Sequence, residues 1–310
     1  MDKTQGYDLV GDIHGYMEPL EALLHAMGYR EEDGAYRHPT RQVIFLGDFI
    51  DRGPDQRGAI NIVRSMIDGG SALSVMGNHE FNAIAWATPD PATGDYLRPH
   101  TDRNRAQHQA FLDAYADDEA GYRDVIAWFK TLPLWLDLGP LRVVHACWDR
   151  VWIRRLGENE SSGNRLYSDL LLQATREGTW QYEALETLLK GKEVPLQNGN
   201  SFHDKDGNVR HHIRVRWWDR SATTYRAAFM GPASTLSHIP EDEINGDHLI
   251  EYGENEPPVF LGHYWMEGTP EPLAPNIACL DYSVAKPGGK LVAYRWSGEH
   301  RLDRKNFLVR

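Results

Sequence analysis

Short apolar segments that end in glycine and aspartate recur in the first part of the chain. Residues 7–10 and 42–46 are each followed by Gly-Asp, a pattern that predicts buried strands ending in functional loops. Between them, residues 19–29 carry leucines at helical spacing, and the same periodicity returns from Ile60 to Ile67. The predicted order is therefore strand, helix, strand, helix.

Later apolar segments continue this alternation. Further strands are predicted at residues 72–76, 141–145, 259–261, 277–280 and 291–296. Alternating strands and helices predict an α/β fold built on a layered sheet. The proline-containing residues 88–104 are expected to form an irregular loop that leads into helices over residues 105–131.

Residues 151–256 break the alternation. We expect a helical stretch over residues 168–190, followed by short polar pieces with a hairpin turn at residues 204–208. We interpret the whole stretch as a cap inserted into a single domain that covers residues 1–310.

Composition and charge narrow the class of protein. The 310 residues include 33 Lys and Arg against 45 Asp and Glu, a formal net charge of -12, and 41% of them are hydrophobic. This is enough apolar material for a packed core, while the negative charge argues against general binding to nucleic acid or to anionic membranes. The two cysteines and the lack of an apolar signal segment or of 18 consecutive apolar residues predict a soluble, cytoplasmic protein.

Side chains that can bind metal ions follow five of the predicted strands. They lie in Gly11-Asp12-Ile13-His14-Gly15, Gly47-Asp48-Phe49-Ile50-Asp51-Arg52-Gly53, Gly77-Asn78-His79-Glu80, Val144-His145 and Gly262-His263. Loops beyond the carboxyl ends of neighbouring strands converge on one crevice, so we expect these side chains to share a site. Carboxylate, imidazole and amide ligands without thiolates favour manganese, with iron or zinc as alternatives.

The spacing of these ligands indicates two ions. Asp12 and His14 lie two residues apart and can face the same ion from an extended segment. A second set comprises Asp48, Asn78, His145 and His263. Asp48 has two oxygens with which to bridge the ions, and two bridged ions activate water for in-line displacement at phosphorus. The predicted reaction class is metal-assisted phosphoester hydrolysis.

These motifs, in this order and spacing, resemble the calcineurin-like metallophosphoesterases and specifically their phosphoprotein phosphatase branch. The resemblance implies a layered β-sandwich flanked by helices, with a metal-bridged hydroxide that attacks phosphorus. It implies one metal ion on Asp12, His14 and Asp48 and a second on Asp48, Asn78, His145 and His263. It also implies that His79 is the general acid, that Asp51 orients it and that Arg52 grips the phosphate.

The chemistry of the side chains supports the last three roles. A leaving group needs a proton donor near neutral pH, and a carboxylate such as Asp51 favours the charged form of His79. The guanidinium of Arg52 offers a fixed fork of donors to phosphoryl oxygens. Further substrate-binding candidates are Arg216, Arg220 and Arg226 of the cap, and Tyr264, for which packing in the core is an equal alternative.

A second resemblance bears on the substrate. Residues 278–281 and 288–296, with Gly262-His263-Tyr264-Trp265, resemble the C-terminal part of bacterial symmetric diadenosine tetraphosphatases, although the intact Asp51-Arg52-Gly53 suits protein phosphatases. The first hypothesis is a hydrolase of dinucleoside polyphosphates or other nucleotide phosphoanhydrides. The alternatives are a serine/threonine phosphoprotein phosphatase and a catalytically silent interaction scaffold. In the cap, residues 214–220 interleave arginine and tryptophan, which predicts either a nucleobase contact or a strand that buries one tryptophan.

Overall fold

The computed structural model describes residues 6–158, 163–203 and 209–310. Along these residues the α-helices are α1 (Met17–Ala26), α2 (Gln56–Asp68), α3 (Asn78–Ala87), α4 (Asp102–Ala114), α5 (Glu119–Phe129), α6 (Arg150–Gly157), α7 (Ser168–Ala174), α8 (Trp180–Lys190) and α9 (Tyr225–Ala228). The strands are β1 (Gly6–Val10), β2 (Arg30–Glu32), β3 (Ala35–Arg37), β4 (Arg41–Phe45), β5 (Ala72–Ser74), β6 (Trp135–Asp137), β7 (Arg142–Val144), β8 (Glu193–Pro195), β9 (Phe202–His203), β10 (Val209–Arg210), β11 (His212–Arg214), β12 (Val259–Leu261), β13 (Ile277–Cys279), β14 (Asp281–Tyr282), β15 (Lys290–Trp296) and β16 (Phe307–Val309). Among the helices described, none combines the length and apolar character needed to cross a bilayer.

Two larger sheets form the centre of the fold. The first has the strand order β14, β15, β1, β4, β5, with β16 also paired to β15. In it β1, β4 and β5 run parallel, and β15 runs antiparallel to β1. The second has the order β13, β12, β7, β6, with β12 parallel to both of its neighbours. Five of these parallel strands precede the loops that carry the metal-binding motifs.

Alternate residues of the strands face different layers. Leu9, Ile44 and Phe260 belong to an apolar cluster that joins the two sheets. Residues adjacent to these in the strands, such as Val10 and Val43, belong to the larger cluster that packs against the helices. A strand with apolar residues on both faces is buried between layers. The predicted α/β class, a layered β-sandwich flanked by helices, is therefore confirmed.

The strands that precede the motifs lie where the apolar segments predict them, whereas other elements differ. The helical stretch predicted over residues 168–190 is two helices, α7 and α8, because Gly178 between them has a left-handed φ of 86°. The side chain of Thr179 then caps α8 by accepting a hydrogen bond from the Tyr182 backbone nitrogen at 3.1 Å. The hairpin turn predicted at residues 204–208 lies outside the described residues, and β9 and β10 on either side of it pair antiparallel.

The stretch 151–256 contributes to two different cores. Buried leucines of α7 and α8, including Leu170 and Leu188, belong to the large cluster beneath the sheets. Residues from β8 to the segment before β12, including Ile213 and Phe229, form a smaller separate cluster. The helical part therefore packs onto the sheet layer, and the part that follows it has a core of its own.

Candidate active site

The candidate metal ligands lie on the loops after five strands. Asp12 and His14 follow β1, Asp48 follows β4, Asn78 opens α3 after β5, His145 follows β7 and His263 follows β12. Ligand atoms of His14, Asp48 and His79 lie within 4.8 Å of one another, as do those of Asp48, His145 and His263. Asp48 therefore belongs to both groups, at the centre of the site.

The loops that hold these side chains have an unusual backbone conformation. φ is 49° at His14, 53° at Asp48 and 71° at His263. A non-glycine residue in this region costs about 1–3 kcal/mol, so the surrounding contacts must hold it there. One such contact is a close approach at Gly77, where an added Cβ would lie 2.4 Å from the backbone nitrogen of Asp48. The tight turns thus bring the start of α3 against the loop after β4.

Two of the histidines are oriented by backbone carbonyl groups. His14 Nδ1 donates to the carbonyl oxygen of Ile50 at 2.9 Å, and His145 Nδ1 donates to that of Leu46 at 2.6 Å. Their Nε2 atoms then face Asp48 Oδ2, at 3.9 Å and 3.3 Å respectively. Histidines that bind metals are commonly fixed in this way, because the hydrogen bond sets the tautomer and leaves the other nitrogen free to coordinate.

The residues of the site fit divalent metal ions. Among the described residues, the buried atoms Asp12 Oδ1, His14 Nε2 and His263 Nε2 have no hydrogen-bond partner, and burying such atoms is costly unless something binds them. Burial, with the positive charge of His79, lowers the pKa of His14 to about 3, and burial also holds the pKa of His263 well below its usual range. Both imidazoles are therefore neutral, as metal coordination requires.

The carboxylates of the site also fit a bound divalent metal ion. Burial and the negative charge of Asp281 raise the pKa of Asp12. Burial opposes ionisation of Asp48 as well, but the side chains of His145 and His79 hold its pKa well below its usual range. A cation between these groups would stabilise the charged form of each carboxylate.

His79 and Asp51 form a close pair beside the candidate ligands. His79 Nδ1 lies 2.5 Å from Asp51 Oδ2, and His79 Nε2 lies 3.9 Å from Asp48 Oδ2. Burial would lower the pKa of His79, but the charges of Asp48 and Asp51 raise it above its usual value. The other oxygen of Asp51 lies 2.8 Å from Nδ1 of His108, a residue that the motifs do not include. The sequence offers only a weak signal for His108: it lies three residues before Phe111 on α4, a spacing that places the two on the same face of the helix.

A cavity of about 340 Å³ opens beside His79. Arg52 lines it, and its guanidinium stacks over the ring of Trp265 at 4.1 Å from the centroid. Three further basic side chains also line this cavity, and no motif in the sequence predicts them: Arg98, Arg103 and Lys190. They come from the irregular loop, α4 and α8, so only the folded chain brings them together.

Of the three arginines in the stretch 151–256 that are predicted to bind substrate, two have partners elsewhere. Arg226 donates to the carbonyl oxygen of Ile239 at 2.8 Å and pairs with Glu241, and Arg220 donates to the carbonyl oxygen of Tyr252 at 3.4 Å. Arg216 is exposed. None of them is among the described residues that line the cavity beside His79. Their role in phosphate binding stays a prediction that this placement does not favour.

Tyr264 is packed behind His263 and does not face the cavity. Its ring is 7% exposed, its hydroxyl donates to the Ala146 carbonyl oxygen at 3.0 Å, and Trp217 Nε1 lies 3.2 Å from that hydroxyl. Trp217 is itself fully buried, whereas Trp218 beside it is partly exposed. The placement of Tyr264 and Trp217 matches the core-packing alternatives of the sequence analysis.

Comparison with known proteins identifies the class to which this fold and site belong. The model of the calcineurin-like phosphoesterase family matches residues 8–211, more than half of the chain. The chain therefore belongs to the calcineurin-like phosphoesterase family, and the predicted class of phosphoester hydrolases is confirmed at the level of the family.

Individual relatives match in sequence only over a short segment. An asymmetrical bis(5'-nucleosyl)-tetraphosphatase, PrpE, of Oceanobacillus iheyensis is 42% identical over 73 residues, which are 23% of this chain and 29% of the relative. The protein of the same name from Bacillus subtilis is 36% identical over 74 residues, 24% of this chain and 30% of the relative. The chain thus spans under a third of the length of the curated relatives that it matches.

Solved structures match along the whole chain at low identity. The cold-active protein-tyrosine phosphatase of a Shewanella species has a TM-score of 0.53 and 14% identity, over 100% of this chain and 82% of that chain. A protein serine/threonine phosphatase of Saccharomyces cerevisiae has a TM-score of 0.51 and 15% identity, over 99% of this chain and 79% of that one. At these identities the similarity concerns the fold alone.

Proposed function

We propose that this chain hydrolyses phosphoesters or phosphoanhydrides with two divalent metal ions, most favourably manganese. Asp12, His14 and Asp48 would hold one ion, and the second would be held by Asp48, Asn78, His145 and His263. The observation that carries the proposal is the set of buried, unpartnered ligand atoms around Asp48. Bound there, the ions would supply Lewis-acid polarisation of the phosphoryl group and activation of water.

The chain's own residues then bind and orient the substrate. Arg52 offers parallel N–H donors to the phosphoryl oxygens, and its stacking on Trp265 limits the positions of the guanidinium. His79 donates a proton to the leaving group from Nε2, since Nδ1 is engaged by Asp51 at 2.5 Å. The neighbouring carboxylates support this role because they raise the pKa of His79.

For the substrate we propose a dinucleoside polyphosphate or another nucleotide phosphoanhydride. A second cavity, of about 260 Å³, lies in the part of the chain interpreted as a cap, between the apolar surfaces of Phe202 and Phe229 and the basic side chains of Arg210 and Arg214. Arg103 lines both this cavity and the one beside His79. Aromatic surface next to arginine suits a nucleobase with its phosphates, in a protein whose net charge is otherwise -12.

The partial relatives support the same substrate class, because they are named as bis(5'-nucleosyl)-tetraphosphatases. We further propose that residues 151–256 act as the cap that selects the substrate, since they supply most of the lining of this second cavity. In this view the single domain supplies the chemistry and the cap supplies the specificity.

A phosphorylated serine or threonine in a protein is the second candidate substrate. A wide cavity of about 810 Å³ runs along the exposed face of α4 from Arg52, with room for an extended peptide. The intact Asp51-Arg52-Gly53 resembles the motif of protein phosphatases and therefore favours a phosphoprotein substrate as well.

The two candidates are separated by a product profile. The manganese-loaded protein is incubated with diadenosine tetraphosphate, ATP or a phosphothreonine peptide, and the products are resolved by chromatography. We expect cleavage of diadenosine tetraphosphate into two ADP, or into ATP and AMP, with the peptide left intact. Release of phosphate from the peptide alone would replace the nucleotide proposal with the protein phosphatase.

A further inference from the structure

One carboxylate, that of Asp51, is shared by two imidazole rings. Asp51 Oδ2 lies 2.5 Å from His79 Nδ1, and Asp51 Oδ1 lies 2.8 Å from His108 Nδ1. Although burial favours the neutral acid, the hydrogen bonds from His108 and His79 hold the pKa of Asp51 well below its usual range. An ionised carboxylate only accepts hydrogen bonds, so both rings donate their Nδ1–H to it.

The ring of His108 is held firmly in its place on α4. It is 4% exposed and stacks on Phe111, with 4.9 Å between ring centroids and 29° between ring planes. On another side it meets the indole of Trp86 at 5.9 Å, and His100 stacks on that indole at 3.7 Å. These contacts restrict rotation of the imidazole, so the ring presents a fixed Nδ1–H to Asp51.

Asp51 itself needs such a support. It lies in the loop after β4 with a left-handed φ of 71°, and its backbone nitrogen donates to Gln56 Oε1 at 2.6 Å. The backbone is thereby fixed, but rotation about the last side-chain bond of an aspartate is broad and roughly two-fold. A single hydrogen bond to His79 would leave this rotation loosely defined. The bond from His108 to the other oxygen defines it.

We propose that His108 is a positioning residue for His79: through Asp51 it keeps the Nδ1–H of the His79 ring directed at the carboxylate, so that the Nε2–H of the charged ring is directed at the leaving group. This inference rests on the proposed function of His79 as proton donor. It extends the His79–Asp51 pair to a chain of three residues from three elements, the start of α3, the loop after β4 and the middle of α4. His108 also lines the cavity beside His79, but its hydrogen bond is to Asp51, so we place its effect on His79 through that carboxylate.

The test compares His108→Leu, which removes the donor, with His108→Asn, whose amide nitrogen can occupy the position of Nδ1. Turnover of the manganese-loaded variants is measured on an alkyl phosphate, a poor leaving group, and on an activated aryl phosphate. We expect His108→Leu to lower kcat on the alkyl phosphate by about 10- to 100-fold with KM unchanged, since loss of an outer orienting partner has effects of this size. The aryl phosphate should lose much less, and His108→Asn should recover part of the loss.

A merely structural role makes different predictions. Phe111→Leu disturbs the packing of α4 without removing a hydrogen bond to Asp51, so it should leave the ratio of the two kcat values unchanged. In the His79→Asn background, His108→Leu should have no further effect on kcat, because its action passes through His79. Equal losses on both substrates, or a full additional loss in the His79→Asn background, would overturn the proposal.

A measurement independent of turnover separates this inference from the proposed function. In the zinc-loaded protein, ¹⁵N chemical shifts of the His79 ring report its tautomer directly. In the neutral ring we expect a single Nδ1–H form in the natural protein and a mixture of the two tautomers in His108→Leu. An inert natural protein would remove the proposed function, whereas an unchanged tautomer in His108→Leu would remove the role of His108.

Discussion

The carboxylate of Glu80 accepts a hydrogen bond from the backbone nitrogen of Asp48 at 2.8 Å, so a side chain of α3 fixes the candidate ligand at the centre of the site. The same carboxylate accepts hydrogen bonds from the backbone nitrogens of Phe49, at 2.8 Å, and Gly77, at 2.9 Å. The last of these caps α3 at its N-terminus. Glu80 thereby connects the loop after β4 to the segment that carries Asn78 and His79.

We expect Glu80→Ala to destabilise the protein by about 3 kcal/mol or more, because three buried N–H groups lose their acceptor and each costs about 1–3 kcal/mol. Glu80→Gln keeps one acceptor oxygen and should lose less. Urea unfolding in the presence of a chelator measures the effect without the contribution of metal binding. Equal stability of the two variants would show that the hydrogen bonds to Glu80 do not hold the loop.

We expect His79→Asn to retain its metal ions but to lower kcat on an alkyl phosphate by about a hundredfold or more, the typical contribution of general acid catalysis. An activated aryl phosphate needs little protonation of its leaving group and should be affected much less. Steady-state kinetics on both substrates, with metal content measured in parallel, tests this. A similar loss on both would remove His79 from the role of proton donor.

Arg210 lines the cavity of about 260 Å³ proposed to bind the nucleotide, so we expect its removal to weaken substrate binding. Because Arg210 lines the cavity of Phe202 and Phe229, Arg210→Ala should raise KM for diadenosine tetraphosphate by about tenfold, the equivalent of one charge-assisted contact. Hydrolysis of an aryl phosphate, which does not reach the cap, should stay unchanged. Arg220→Ala is the matched control, since Arg220 also lies in the stretch 151–256 but is not among the described residues that line this cavity; it donates to the Tyr252 carbonyl oxygen at 3.4 Å. An effect of Arg220→Ala without one of Arg210→Ala would place the substrate elsewhere in the cap.

A buried ion-pair cluster stabilises the first sheet away from the active site. Asp8 is fully buried and accepts hydrogen bonds from Arg41 Nε at 3.1 Å, Arg295 Nε at 2.9 Å and the Tyr29 hydroxyl at 3.1 Å. Asp8→Asn removes the charge between two arginines and should cost about 3–5 kcal/mol of unfolding free energy.

Glu119→Gln is the control for Asp8→Asn. Glu119 and Arg123 form an ion pair with side chains 79% and 71% exposed, and its loss should be undetectable by urea unfolding. A loss in Asp8→Asn as small as that in Glu119→Gln would mean that the arginines around Asp8 find other partners.

The sequence predicts that the candidate ligands lie near one another because they follow buried strands. Strands β1 and β4 can be predicted from their apolar segments; Asp12 lies two residues beyond the end of β1, and Asp48 lies three residues beyond the end of β4. Parallel pairing of β1 with β4 then brings the two aspartates to the same edge without any information from the rest of the chain. Local spacing is therefore enough to predict that these two candidate ligands lie near each other.

The parts that the sequence does not predict depend on contacts between distant segments. Arg98 and Lys190 meet beside His79 although they lie 92 residues apart, and His108 reaches Asp51 across 57 residues. The candidates Arg216, Arg220 and Arg226 have no motif that predicts their contacts: Trp217 beside Arg216 is buried in the core, and Arg226 is engaged by Ile239 and Glu241. Contacts between such side chains follow no periodic pattern in the sequence, so they cannot be predicted from it.

We expect the cluster around Asp48 to hold two metal ions, and metal analysis of the purified protein tests this directly. The protein is loaded with manganese, freed of excess metal by gel filtration and analysed for manganese per folded chain. We predict two ions per chain, a clear reduction in Asp48→Asn, which removes the shared ligand, and no reduction in Glu119→Gln. Fewer than one ion per chain in the folded, metal-replete protein would contradict the account.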